Sequence, residues 1–251
     1  MSSRIASARE GPVLALFALL GISLFALASF VVGWRLLWVA HRTGLLPEKL
    51  IGGSLFLAGG IGTALLILSG FAGPARGALS TGAMLAIDCG ITVLGVFTWR
   101  VFRPGPVGAT VVATCTALLV LSFASDWVSG HYLGVRRSAF SMTADYAGRF
   151  AMYGWAGFET LRQAMLARRR VRIGLTEPLV ANRFLLWGIS TLAANGIWAY
   201  SLWRELAHSR DTTEFYLVAS VLGSTCALAI WLAFFPPQAY RRRFATSATS
   251  A

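Results

Sequence analysis

Long runs of apolar residues, uninterrupted by charge, follow one another along the chain. Each run contains 20 to 26 uncharged residues and is bounded by arginine, lysine or acidic residues. The five runs are 11–34, 50–75, 104–125, 184–203 and 215–240. A helix needs about 20 such residues to cross the hydrocarbon core of a bilayer. The pattern therefore predicts five membrane-spanning helices.

Two further segments have the length of a span but carry charges. Residues 77–99 are uncharged except for Asp88, which has 11 uncharged residues on either side. Residues 144–167 carry four charges among aromatic and apolar side chains, and a helix lying in the membrane interface is the alternative interpretation. We interpret both segments as spans. The sequence then predicts an all-α polytopic membrane protein, one domain with helices at about 12–38, 50–72, 78–102, 107–129, 144–170, 182–205 and 213–238.

Composition agrees with this class. Apolar residues make up 56% of the 251-residue chain and charged residues 13%, whereas soluble domains contain about 25% charged residues. With seven spans, one set of connections holds 13 arginines and lysines and the other set holds 7. Arg- and Lys-rich loops stay in the cytoplasm, so we expect the N-terminus outside and the C-terminus inside. The net charge of +12 is spread over these connections, where topology and lipid headgroups explain it, and we expect no nucleic-acid partner.

Ionisable residues inside the spans are the candidate functional groups. Asp88 falls at the middle of the third span, where a carboxyl group costs several kcal/mol unless it is neutral, paired or hydrated. Glu159 and Arg162 are three residues apart and share a helix face, and Arg149 precedes Glu159 by nearly three turns. We expect these three to form a polar wall facing Asp88, with Asn195 joining it. This predicts a ligand or ion site, and a salt-bridge network that only fixes helix packing is the alternative.

A second candidate site is basic. Arginines next to the fifth and sixth spans are explained first as a topology signal in contact with lipid. The alternative is that they form a docking patch for an acidic cytoplasmic partner. Its residues are Arg168, Arg169, Arg170, Arg172 and Arg183.

The number of lysines limits which cofactors the protein could bind covalently. The only lysine is Lys49, and residues 215–240 contain none. A retinal bound covalently in the last helix is therefore excluded, while non-covalent binding of lipid or pigment stays open. The sequence shows no nucleophilic triad and no metal-ligand cluster, so we expect neither an enzyme nor a metal site.

The second span contains a stripe of small residues, with Gly52 and Gly53 about two turns before Gly59 and Gly60. Such stripes let helices approach closely in lipid. We expect the stripe to serve packing inside the bundle, and a homodimer interface is the alternative.

Two sequence elements carry a resemblance. One is Pro47-Glu48-x-x-x-Gly52 before the second span, and the other is Gly174-Leu175-x-x-Pro178-x-x-x-Asn182-Arg183-Phe184 before the sixth. Together they resemble a family of uncharacterised bacterial seven-span proteins. The resemblance implies the bacterial inner membrane and brings no settled activity. In the second element, we expect Asn182 to cap the sixth helix.

The topology is also distantly similar to the seven-helix sensory input regions of bacterial signalling proteins. We therefore predict a receptor-like or sensory protein that binds a small apolar or amphiphilic ligand within the bundle. One alternative is a transporter or channel with a site at Asp88 and Glu159. A further alternative is a non-catalytic accessory subunit of a larger membrane complex, with a membrane-protein partner.

Overall fold

The structure is a computed structural model that describes residues 2–207 and 212–246. Throughout that part of the chain the regular structure is helical and contains no strand, which confirms the predicted all-α class. Helix α1 is Ser2–Thr43, α2 is Leu46–Ser69, α3 is Gly73–Phe102 and α4 is Pro106–Ser129. The second half of the chain contributes α5 (Ala139–Arg172), α6 (Pro178–Leu206), α7 (Thr212–Phe234) and the short α8 (Gln238–Thr246).

Five of these helices are long and apolar enough to cross a membrane. They are α1, α2, α3, α4 and α7. Helix α6 falls outside this group because asparagine, tyrosine, serine and tryptophan side chains interrupt its apolar residues, and α5 because it carries the four charges noted above. The structure therefore supports a multi-pass membrane bundle.

Consecutive long helices pack side by side and antiparallel. On α1 and α2, for example, Gly33 lies against Phe56 while the earlier Ser29 lies against the later Gly59. The same opposite progression holds for each following pair up to α6 and α7. Short connections of this kind normally join antiparallel neighbours.

Helix α7 returns to α1 and closes the bundle into a ring. Gly21 of α1 contacts Ser220 of α7. Later in the sequence of both segments, Arg35 contacts Phe235. Because both residue numbers increase from the first contact to the second, α1 and α7 run parallel. Helix α3 also crosses the interior to contact α5. The ring has two ends. We name the end with the α2–α3 and α4–α5 connections the cavity face, and the opposite end the arginine-rich face.

Glycines of α2 pack against the neighbouring helices of this ring. Gly59 packs against Ser29 and Gly60 against Phe30 of α1, while Gly62 packs against Ile87 of α3. Around them, residues Leu55–Gly62 are wound as a π-helix, a widened form that occurs in short stretches. The small-residue stripe thus brings α1, α2 and α3 into close contact, and its surface is occupied by the chain's own helices.

Several helix ends differ from the sequence prediction. Helix α6 begins at Pro178, because proline fits the first turn of a helix, so Asn182 lies inside the helix and does not cap it. Its side-chain nitrogen donates instead to the hydroxyl of Tyr240 on α8, at 2.6 Å. Helix α7 ends at Phe234, four residues before the predicted end, because Pro236 and Pro237 cannot continue it.

Candidate functional site

A cavity of about 680 Å³ extends from the cavity face into the bundle between α3, α4, α5 and α6. Its entrance is formed by the first residues of α3 and by residues of the α4–α5 connection. Its wall combines ionisable groups with apolar ones. The lining includes Met84, Asp88, Phe123, Asp126, Tyr132, Arg137, Asp145, Arg149 and Trp198.

The α4–α5 connection folds back over this cavity. Gly130 and Gly134 have φ of 73° and 101°, a left-handed conformation that glycine adopts without the cost a Cβ would bring. The ring nitrogen Nδ1 of His131 lies 3.0 Å from the carbonyl oxygen of Val135 and closes the turn. This fold places Arg137, which precedes α5, over the interior.

Five charged side chains from three helices and this connection meet at the cavity. The Arg149 guanidinium joins Asp88 of α3, with Nη2 2.9 Å from Oδ1, to Asp145 one turn earlier on α5, with Nε 2.6 Å from Oδ1. Arg137 links two of the carboxylates in the same way, since its Nη2 lies 3.0 Å from Asp145 and 2.8 Å from Asp126 of α4. We name these five residues the charge network.

Two buried serines connect the charge network to the start of α5. Ser141 bonds through its hydroxyl to the carboxylate of Asp126, and the Ser122 hydroxyl donates to the Ser141 carbonyl at 2.9 Å. Ser138 caps α5 by accepting a bond from the Ser141 backbone N–H, which satisfies one of the free donors of the first turn. These hydrogen bonds fix Ser141 at the start of α5, and Ser141 in turn holds the carboxylate of Asp126.

Arg149 and Asp126 are the most deeply buried members, each with 2% of its side chain exposed. The environment of Arg149 is mixed. The Arg149 guanidinium lies over the ring of Trp198, 4.0 Å from the centroid, and its Nη2 is 3.6 Å from the sulfur of Met84. The other terminal nitrogen, Nη1, is buried and has no hydrogen-bond partner among the described residues. Asp88 is the carboxylate most open to the cavity, with 12% of its side chain exposed.

The network carries three carboxylates for two guanidinium groups. Burial acts to lower the pKa of Arg137, but the carboxylates of Asp145 and Asp126 raise that pKa above its ordinary value. Burial and nearby Asp126 also raise the pKa of Tyr132, so its phenol stays a hydrogen-bond donor at neutral pH. With all five groups ionised, the network has one excess negative charge.

A separate cluster lies toward the arginine-rich face. Glu159 of α5 is buried and accepts from Nε of Arg103 at 2.6 Å and from Nη1 of Arg162 at 3.3 Å. The predicted pairing of Glu159 with Arg162 is present. The predicted single wall is wrong, because ten residues of helix separate Arg149 from Glu159 by about 15 Å, and only Arg149 reaches Asp88.

Asn195 and the basic patch also have defined positions. Asn195 lies one turn from Trp198 and faces Gly154 of α5, away from the cavity lining. Its Oδ1 is buried and has no partner among the described residues. The predicted docking residues lie at the arginine-rich face, and all are exposed: Arg168, Arg169, Arg170, Arg172 and Arg183.

Three members of the charge network were not predicted as site residues. They are Asp126, Arg137 and Asp145. The spacing of Asp145 and Arg149, four residues apart on one helix, was a usable signal for a pair. Asp126 and Arg137 flank a connection between two spans, and charged residues at such positions are normally explained as signals that orient the spans in the membrane.

Comparison of the chain with family models, curated protein sequences and solved structures finds no match.

Proposed function

We propose that all seven long helices, α1 to α7, cross the bilayer. Five of them have the length and apolarity of a span. The other two, α5 and α6, lie between α4 and α7 in the ring, and the charged side chains Asp145, Arg149 and Glu159 of α5 are buried within it. A charged side chain turned into a bundle and paired there costs far less in a membrane than one facing lipid.

Seven crossings would place the two ends of the chain on opposite sides of the membrane. In the sequence, the connections of the set that includes the arginine-rich face contain 13 arginines and lysines and the other set contains 7, so this face is assigned to the cytoplasm. The cavity then opens to the outside. In a bacterium this is the arrangement of a multi-pass inner-membrane protein with its N-terminus out.

In this proposal the protein is receptor-like or sensory and binds a small amphiphilic molecule in the cavity. The observation that carries the proposal is a 680 Å³ cavity that ends at a buried network of charges. Small-molecule sites commonly have volumes of about 300–1,000 Å³, and the wall of this cavity offers both charged and apolar contacts.

The chemistry of the cavity favours one kind of head group. Asp88 is ion-paired through Oδ1, and its side chain is partly open to the cavity. The carboxylate of Asp88, which is the one most exposed to the cavity, favours a hydrogen-bond donor there, such as an ammonium group. Met84, Phe123 and Trp198 offer apolar contacts to the rest of the molecule. A small amphiphilic amine fits both features.

In this proposal, ligand binding in the cavity is transmitted to the opposite face through α3 and α5. Asp88 lies at the middle of α3 and Arg103 directly follows that helix, while α5 carries Arg149 and Glu159. The two helices are therefore joined by one ion pair at the middle of α3 and by a second just past its end. A ligand that weakens the Asp88–Arg149 pair would change how α3 sits on α5. The basic end of α5 is where a cytoplasmic partner would detect that shift.

The first test compares two carboxylate variants, Asp88→Asn and Glu159→Gln. Protein purified in mild detergent is analysed by native mass spectrometry and by thermal unfolding against a set of amphiphilic amines. We expect the wild type and Glu159→Gln to carry a small molecule or to be stabilised by an amine, and Asp88→Asn to lose the effect at least about tenfold, the value of one charged hydrogen bond. Equal behaviour of Asp88→Asn and wild type would contradict the proposal.

The same variants separate the two alternatives. A transporter or channel that uses Asp88 and Glu159 predicts that both variants change flux in reconstituted vesicles, although the two residues belong to separate clusters. An accessory subunit predicts a stable protein partner in every preparation and no response to amines.

A further inference from the structure

A groove of about 150 Å³ lies between α1, α6 and α7 near the arginine-rich face. Its floor is apolar, with Val32, Leu36 and Val39 of α1 and two phenylalanines at the end of α7. Two arginines stand at its edge, Arg35 of α1 and Arg183 of α6. This groove is distant from the cavity, so what binds here is independent of the proposed receptor function.

Both arginines are free to bind an anion. Arg35 and Arg183 are exposed, and neither forms an ion pair with any carboxylate in the described part of the chain. The Arg35 guanidinium lies over the ring of Phe235, 4.4 Å from the centroid, which holds the group in place by a cation–π contact. Two guanidinium groups on one groove match the oxygens of a phosphate, which they bind in a bidentate manner.

The groove lies at the level where α1 and α6 change from apolar to charged sequence. Arg35 is the first charge after the run 11–34, and Arg183 is the last charge before the run 184–203. On α1, Trp34 and Trp38 are 59% and 49% exposed, as tryptophans are at the membrane interface. This is the depth of lipid phosphates, and the apolar floor continues from it toward the hydrocarbon.

We propose that this groove binds an anionic phospholipid, with the phosphate between Arg35 and Arg183 and an acyl chain along α1 and α7. Charge complementarity selects an anionic over a zwitterionic headgroup, because the site offers two positive charges and no carboxylate among its lining residues. The site ties together the first, sixth and seventh helices, including the parallel pair that closes the ring.

The experiment is a lipid titration followed by native mass spectrometry of the delipidated protein. We expect palmitoyl-oleoyl-phosphatidylglycerol to bind more tightly than the phosphatidylcholine with the same chains. The double variant Arg35→Gln/Arg183→Gln should lose at least about tenfold in phosphatidylglycerol affinity. The matched control Arg168→Gln/Arg169→Gln removes the same charge from exposed positions of the same face and should keep its affinity.

Three results would overturn the lipid assignment. One is an equal loss in the control variant, which would indicate general surface charge. Another is equal binding of phosphatidylcholine. The third is displacement of phosphatidylglycerol by millimolar inorganic phosphate, which would indicate a site for a free anion. If the double variant does not fold, the single variant Arg183→Gln should show a several-fold loss, and an unchanged affinity there would also overturn the proposal.

Discussion

Replacing Arg149 with methionine will destabilise the protein by about 3–5 kcal/mol, because it leaves Asp88 without its counter-charge and Asp145 with one partner instead of two. Arg149 pairs with Asp88 and Asp145 and is itself almost fully buried. For a chain of this size the loss corresponds to a fall of about 10 °C in the thermal midpoint. The measurement is thermal unfolding of the purified protein in one detergent, followed by tryptophan fluorescence.

A second substitution identifies which carboxylate causes the loss. Asp145 keeps Arg137 as a partner when Arg149 is removed, whereas Asp88 has no other ion pair among the described residues. Adding Asp88→Asn to Arg149→Met should therefore restore more stability than adding Asp145→Asn. The reverse order would contradict the assigned pairing.

Arg162→Met serves as the matched control. Its side chain is 40% exposed, and its partner Glu159 keeps Arg103 when Arg162 is lost. A partly exposed pair of this kind contributes about 0–1 kcal/mol. The control should unfold within a few degrees of the wild type, and a loss as large as that of Arg149→Met would show that the method does not distinguish the two sites.

The second large effect is expected at Gly90, where α3 crosses α2. A Cβ at this position would lie 2.5 Å from the backbone nitrogen of Ala58 and 2.6 Å from its Cβ. Backbone atoms cannot rotate away, so α2 and α3 would have to separate. We expect Gly90→Ala to cost about 1–3 kcal/mol or more, the range of overpacked interiors, measured as unfolding midpoint and as yield of monodisperse protein.

Gly82→Ala is the control on the same helix. A Cβ there would meet only the Leu65 side chain, at 3.6 Å, which is ordinary contact distance. Alanine is also a better helix former than glycine by about 1 kcal/mol. Gly82→Ala should match or exceed the wild type in stability. If both variants behave alike, the close approach of α2 and α3 at Gly90 is wrong.

The all-α class and the membrane bundle could be predicted from the sequence, because both depend on the local composition of each segment. A run without charge must be buried in lipid or protein whatever it packs against. The stripe of Gly59 and Gly60 also predicted close packing, since only small residues allow it. That it packs on Ser29 and Phe30 of α1 required the three-dimensional arrangement.

The candidate site was predicted only in part, because side chains from different helices meet by depth as well as by face. Asp88 was recognised as a midplane carboxylate, and Arg149 as a member of its polar wall. Glu159 was placed on the same wall by helical periodicity alone, although the rise along α5 carries it to a different partner, Arg103. Face and depth have to be combined before two ionisable residues are paired.

The remaining members of the network depend on a connection that the sequence does not describe. Arg137 reaches Asp126 and Asp145 only because the α4–α5 connection turns back at Gly130 and Gly134. Charges beside a connection are read first as topology signals, and nothing local in the sequence distinguishes an arginine that folds inward from one that stays in water.

The central claim is that α5 and α6 cross the membrane with their ionisable groups inside the bundle. Exposed positions lie at both ends of each helix: Arg136 before α5, Glu177 between α5 and α6, and Ala207 after α6. Single cysteines at these positions, in a background with the exposed Cys89 replaced by serine, are labelled in intact cells with a membrane-impermeant maleimide. The account predicts labelling at 136 and 207 from outside and protection at 177 until the cells are opened. Labelling of 136 and 177 from the same side would contradict it.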